Sequence, residues 1–172
     1  MRTLQRKAAR WVRVAGSDDT GDAVAFLMTP ASALQYDMAL ERAMTAARQL
    51  HESGEIRAAY GLDALPPEAM GEEDSAASLG VSTTVLATEV ALIVATEMRG
   101  YLGEDGETPA AWTRRNVALA MQDWQGGRSI AQRFLDVALA PVYEARTEGK
   151  LSAAGPNTTG AAAASCATDA AS

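Results

Sequence analysis

The sequence predicts an α+β fold, mainly α: one helical domain with an N-terminal β-hairpin and a disordered C-terminal tail. Three observations predict it. Aromatics make up only 5% of the chain while Ala, Leu and Met are plentiful, a bias that suits helices because these side chains lose little freedom there. Residues of about 9–28 alternate with period two on either side of a turn. Leu151 to Ser172 holds nine alanines, six serines and threonines and one charged side chain, Asp169, which leaves nothing able to anchor it in a core. Residues 1–150 therefore read as a single domain, of a size that buries most of its apolar surface, and 151–172 as its tail.

Arg10 to Val14 alternates large apolar and basic residues, and Ala23 to Met28 places Val24, Phe26 and Met28 opposite Ala25 and Leu27. Both read as strands. Gly16, Ser17, Asp18, Asp19 and Gly21 between them supply turn chemistry, so a hairpin with a longish loop is expected. Two strands alone are unstable and must pack on helices. Thr29-Pro30 has the form of a helix start, with Thr29 as cap and Pro30 where its missing N–H costs nothing. Ala33, Tyr36, Leu40, Met44, Ala47 and Leu50 then recur at three and four residues, predicting an amphipathic helix that ends near Gly54. Leu62 to Gly80, with Pro66-Pro67 and the acidic cluster Glu68, Glu72, Glu73 and Asp74, reads as an exposed linker preceded by a short helix.

From Val81 to Arg99 the pattern is apolar on nearly every side and leaves only a narrow strip around Thr88, Glu89 and Thr96, so a central helix is expected. The window Leu79 to Met98 is long enough for a membrane span, but Glu89, Glu97 and its threonines make spanning expensive and favour a core helix. Thr108-Pro109 repeats the start signal ahead of a helix carrying Trp112, Val117, Met121 and Trp124, which Gly126-Gly127 should end. A last helix from about Ser129 presents Ile130, Phe134, Leu135, Val137, Ala138, Leu139 and Val142, with Pro141 expected to kink or break it.

The formal net charge is −7, unevenly spread: Arg2, Arg6, Lys7, Arg10 and Arg13 precede any acid, and the remainder carries −12. An acidic body repels nucleic acid and anionic membrane, so such a contact would fall to the basic arm alone. Arg10 and Arg13 interrupt any apolar run of signal-peptide length, and a cytoplasmic location is expected. Cys166 is the only cysteine and lies in the tail, which excludes an intramolecular disulfide.

No catalytic, cofactor-binding or metal-ligating residue emerges, and the chain is expected to be no enzyme and to need no cofactor. His51 is the only histidine and suits the end of a helix. Gly16 to Gly21 has the glycine spacing of a phosphate loop, but Asp22 stands where a lysine is required. Its aspartates, and Glu104, Asp105 and Glu107, lack the ordered spacing of a calcium hand. Glu89 is the sharpest residue, a carboxylate within the most apolar helix. Its expected role is structural, surface-facing or paired, with acid–base work as the alternative. Asn157-Thr158-Thr159 matches a glycosylation sequon without a secretory signal. Trp11, Trp112, Trp124, Tyr101 and Tyr143 are expected in the core, and any that is exposed becomes an anchor for a partner.

The hairpin leading into a Thr-Pro helix start, Gly103-Glu104-Asp105-Gly106-Glu107-Thr108-Pro109, Phe134 and Pro141 in the final helix, and Gly155-Pro156-Asn157-Thr158-Thr159-Gly160 together resemble the tail assembly chaperones of long-tailed bacteriophages and gene-transfer particles. The resemblance implies a non-enzymatic protein of the host bacterial cytoplasm. Such proteins coat and solubilise the long helical tape-measure protein during tail assembly, with the tail-tube protein and self-association as further contacts. The expected contact surfaces are the exposed sides of the Thr29 to Gly54 and Pro109 to Trp124 helices. The alternatives are a structural virion accessory, as a head–tail or tail-tube component, and a small DNA-binding regulator that uses the basic arm.

Overall fold

The computed structural model describes residues 8–17, 19, 21–65, 76–103 and 105–153. The fold is α+β and mainly helical, with a three-stranded sheet at its N-terminal end. Strands β1 (Arg10–Ala15) and β2 (Val24–Met28) form the expected antiparallel hairpin, pairing Trp11 with Leu27 and Val12 with Phe26, with a bulge between Arg13 and Ala15. Val24, Phe26 and Met28 point into the core as the alternation predicts. Gly16, with φ of 71°, closes the hairpin where a Cβ would collide with the Asp22 carbonyl, so only glycine fits.

Helix α1 (Ala33–Gln49) starts three residues later than Thr29-Pro30 suggests, capped at Ser32 and not at Thr29. The Ser32 hydroxyl accepts from the Gln35 amide at 3.2 Å while the Gln35 side chain accepts from the Ser32 amide at 3.0 Å. This reciprocal pair satisfies two free ends that a lone threonine would leave half served. Thr29 instead donates its amide to the Val94 carbonyl at 3.0 Å, tying the end of β2 to the sheet. The buried face of α1 is Ala39, Ala43 and Ala46, with Leu50 just beyond its end. Of the expected stripe, Ala33 and Met44 are exposed and Tyr36, Leu40 and Ala47 are only partly covered. Small side chains let α1 approach its neighbour closely, and that gain outweighs burying the larger ones. Gly54 does not follow α1 directly; it opens the short helix α2 (Gly54–Ala59), capped by Ser53.

Helix α3 (Ala76–Val94) is central, with Val85, Ala87, Thr88, Glu89, Val90 and Ala91 all buried. The strip expected to face solvent at Thr88 and Glu89 is therefore inside. Thr88 copes by donating to the Thr84 carbonyl at 2.8 Å. The expected linker is shorter than its composition suggests, because Leu62 is buried and Ala76 to Gly80 are helical; Pro66-Pro67 and the acidic cluster lie outside the described residues. The helix also stops five residues early. Ala95–Arg99 is strand β3, antiparallel to β2, so that β2 becomes the middle of the sheet. Pairing with an otherwise open edge of β2 overrides the helical pattern, with Ala95 and Met98 inward and Thr96, Glu97 and Arg99 outward.

The second Thr-Pro signal fails in the same way. Thr108 donates to Asp105 at 2.6 Å and Pro109 forms a bridge with Leu102, while helix α4 (Arg114–Gln122) is capped by Thr113, which accepts from Asn116 at 3.2 Å. Gly126-Gly127 is a hairpin turn between the two-residue strands β4 (Trp124–Gln125) and β5 (Arg128–Ser129), both glycines having positive φ as such a turn requires. Helix α5 (Ile130–Ala153) buries Ile130, Phe134, Ala138, Leu139 and Val142, whereas Val137 is partly exposed. Pro141 lies within α5 without ending it. The carbonyl it leaves without a donor belongs to Val137, where water can serve it, and the Ala138 carbonyl also takes the Ala31 amide at 3.0 Å. Residues 154–172, most of the expected tail, lie outside the described residues.

The main core lies between the sheet and α3, α4 and α5, centred on Phe26, which meets Phe134 edge-on at 4.9 Å and Trp112 at 6.5 Å. A smaller one joins Ala43, Ala46, Leu50, Tyr60, Leu62, Val85 and Ala118.

Candidate functional site

Two cavities stand out among the described residues, and their chemistry is opposite. The first is an open groove of about 570 Å³ lined by Leu62, Leu65, Leu79, Gly80, Val81, Thr83, Thr84, Met121, Gln122, Trp124, Ser129 and Gln132. Among the described residues, no ionisable side chain lines it. Its rim holds three large apolar side chains in water: Leu79 at 62% exposure, Trp124 at 64% and Leu65 at 39%.

Trp124 reaches this position because Asp123 leaves the helical conformation, and the Gly126-Gly127 turn then lifts the tryptophan off the α4 surface. The small hairpin is held firmly. Arg133 donates to the Gln125 carbonyl at 2.7 Å, Arg128 pairs with Asp136 at 2.7 Å, and the Ile130 amide returns to the Asp123 carbonyl at 2.9 Å. An exposed indole on a pinned turn loses little freedom when a partner covers it, which favours it as an anchor.

The second cavity, about 550 Å³, lies between α1, α2, α3 and α4 with Glu89 at its floor. Glu89 is fully buried, and its Oε1 accepts from the Tyr60 hydroxyl at 2.7 Å and from Arg114 Nε at 3.0 Å. Oε2 is buried with no hydrogen-bond partner among the described residues. Burial, and then the bond to Glu89, push the Tyr60 hydroxyl well above the usual tyrosine range, so it stays a donor. For Arg114 partial burial works against the charge, but the adjacent Glu89 outweighs it and holds the guanidinium more firmly protonated. The sequence singles out Glu89 without indicating its partners, which stand 29 residues upstream and 25 downstream. It is the paired, structural role that the geometry bears out.

The remaining candidates are scattered. His51 is exposed in the turn after α1 and contributes only its carbonyl, which accepts from Arg57 at 3.3 Å. In the Gly16–Gly21 turn the Asp22 carboxylate accepts from the Ser17 amide at 2.9 Å, the act of a turn and not of an ion site. Asp105 accepts from Thr108 and from the Glu107 and Thr108 amides, which hold its carboxyl below the usual range. No group of acidic, histidine or cysteine ligands among the described residues could hold a metal. Trp11 packs under Arg99 at 3.9 Å, Tyr101 binds Asp123 at 3.1 Å, and Tyr143 is about half exposed. Asp18, Glu104, Cys166, the sequon and the basic residues before 8 lie outside the described residues. No described helix is long and apolar enough to cross a membrane.

No family model, curated protein or solved structure matches this chain.

Proposed function

We propose that this chain is a non-enzymatic tail assembly chaperone that shields an apolar helix of a tape-measure protein, and that the uncharged groove beside Trp124 receives it. The groove carries this reading. Its described lining joins apolar and neutral polar side chains with no charge among them, flanked by exposed Leu79 and Trp124, and a helix face with side chains at three- and four-residue spacing would cover both. The resemblance in sequence supports the identity of the partner, and the net charge of −7 keeps the body dispersed while the partner is held. Met38 and Met44, exposed on α1, provide a second adaptable apolar surface for the same partner.

The test is co-expression with a tape-measure protein. The wild-type chain should raise its soluble fraction, and Trp124→Ala combined with Leu79→Asp should abolish that gain while circular dichroism shows the helices intact. An unchanged soluble fraction with the wild-type chain would end the proposal. The exposed groove equally suits a permanent contact in a particle, so the structural-accessory reading is separated by mass spectrometry of purified particles, where a departing chaperone is absent.

A further inference from the structure

The outer face of the sheet carries side chains that neither core uses. Because Val24, Phe26, Met28 and Met98 point inward, the residues between them point outward, in two rows across the strands: Trp11, Leu27 and Glu97, then Arg13, Ala25 and Arg99. Trp11, Ala25 and Leu27 are half-buried and belong to neither described core. Arg13 and Arg99 are exposed, as is Arg10 at the start of β1, and Glu97 is the one acid among these described positions. The chain leading into β1 adds Arg2, Arg6 and Lys7, with no acid before Asp18. A basic face thus stands on a chain whose net charge is −7.

The centre of that face is ordered. Arg99 reaches across β2, where Ala25 is small, and its guanidinium lies over the Trp11 ring at 3.9 Å from the centroid. Stacking holds the plane in place. Among the described residues Arg99 makes no ion pair or hydrogen bond, so its donors are left to solvent. A guanidinium seated on an aromatic ring presents a second flat surface and unused donors, which match the face of a base and the oxygens of a phosphate.

We propose that the outer sheet face binds single-stranded nucleic acid, with a base stacked on the Arg99–Trp11 pair and flanking phosphates taken by Arg10, Arg13 and the edge of Arg99. An acidic peptide would answer the charges but has no use for the stack. A duplex keeps its bases stacked inside and would meet the arginines alone. An unpaired strand satisfies the plane and the charges at once. The face shares no residue with the groove beside Trp124, so it stands or falls separately from the chaperone reading.

Fluorescence anisotropy of the full chain with labelled oligo-thymidylate tests this. Saturable binding is expected, with log K falling against log salt at a slope of about −2, from three phosphate contacts at about −0.7 each. A duplex of the same length should bind about tenfold more weakly, and Arg99→Ala, an exposed change outside both cores, should weaken the single strand by about tenfold, the worth of one stacked base. Arg99→Lys keeps the charge without the plane and should recover only part of that loss, while circular dichroism shows both variants folded. No saturable binding of the oligonucleotide would overturn the proposal. Equal or tighter binding of the duplex, or full recovery by Arg99→Lys, would reduce the contact to charge and overturn it. Undiminished binding to Arg99→Ala would move the contact off this face and overturn it as well, and poly-glutamate that competes as strongly as the oligonucleotide would reassign the face to an acidic protein.

Discussion

Glu89 sits on a helix whose other neighbours are almost all apolar, so its two hydrogen bonds decide whether α3 can be central. Glu89→Ala removes the acceptor of both Tyr60 and Arg114 and opens a cavity, and should cost about 3 kcal/mol in denaturant unfolding. Tyr60→Phe, which loses one bond and keeps the ring, should cost about 1 kcal/mol. The same cluster sets an alkaline limit. The folded-state pKa of Tyr60 is raised, chiefly by burial, and that of Tyr101 is raised by burial and by Asp123. The unfolded chain therefore loses these protons first. Their contribution is fully present below the ordinary tyrosine value of about 10 and is lost as pH rises above it toward the folded values. Unfolding midpoints should fall with pH in that range, and the fall should be shallower in the double variant Tyr60→Phe, Tyr101→Phe.

Capping and close approach govern the elements. Because Ser32 and Thr113 hold the first turns of α1 and α4, Ser32→Ala and Thr113→Ala should each cost about 1 kcal/mol. Thr108→Ala lies outside the helix it was expected to cap and should leave α4 unchanged. Amide hydrogen exchange at Gln35 and Asn116 distinguishes these outcomes. The alanine face of α1 makes a stronger claim: Ala43→Leu puts a larger hydrophobic residue into a close helix contact and should destabilise by about 1–3 kcal/mol through overpacking, although hydrophobicity alone would favour it. Both Thr-Pro pairs read as helix starts, yet the hydroxyls that cap the helices, Ser32 and Thr113, come later in the chain. At Ser32 the Gln35 side chain completes the cap, whereas at Thr113 only the Asn116 amide takes part and the Asn116 side chain turns to the Ala111 carbonyl. Strand β3 was illegible for a different reason: residues 95–99 follow the helical pattern of α3 without a break signal, and only the open edge of β2 makes them a strand.

For the molecule as a whole, the main core around Phe26 and the smaller one around Leu50 and Tyr60 meet across α3, whose opposite faces serve both. Truncation after Ala153 removes none of the described residues of either and should leave the Tm unchanged; a large loss would show that the alanine-rich segment contributes to the fold. The hairpin, the number of long helices and the central place of α3 were all readable from alternation, spacing and composition, because those properties are local or additive. The groove and the Glu89 cluster were not. Trp124 has the spacing of a core residue and becomes exposed only through the Gly126-Gly127 turn, and Glu89 finds its partners only when α2 and α4 close over α3. Periodicity along the chain reports which side of an element is apolar, whereas the neighbour that covers that side, and the polar groups it brings, are set by contacts between residues distant in sequence.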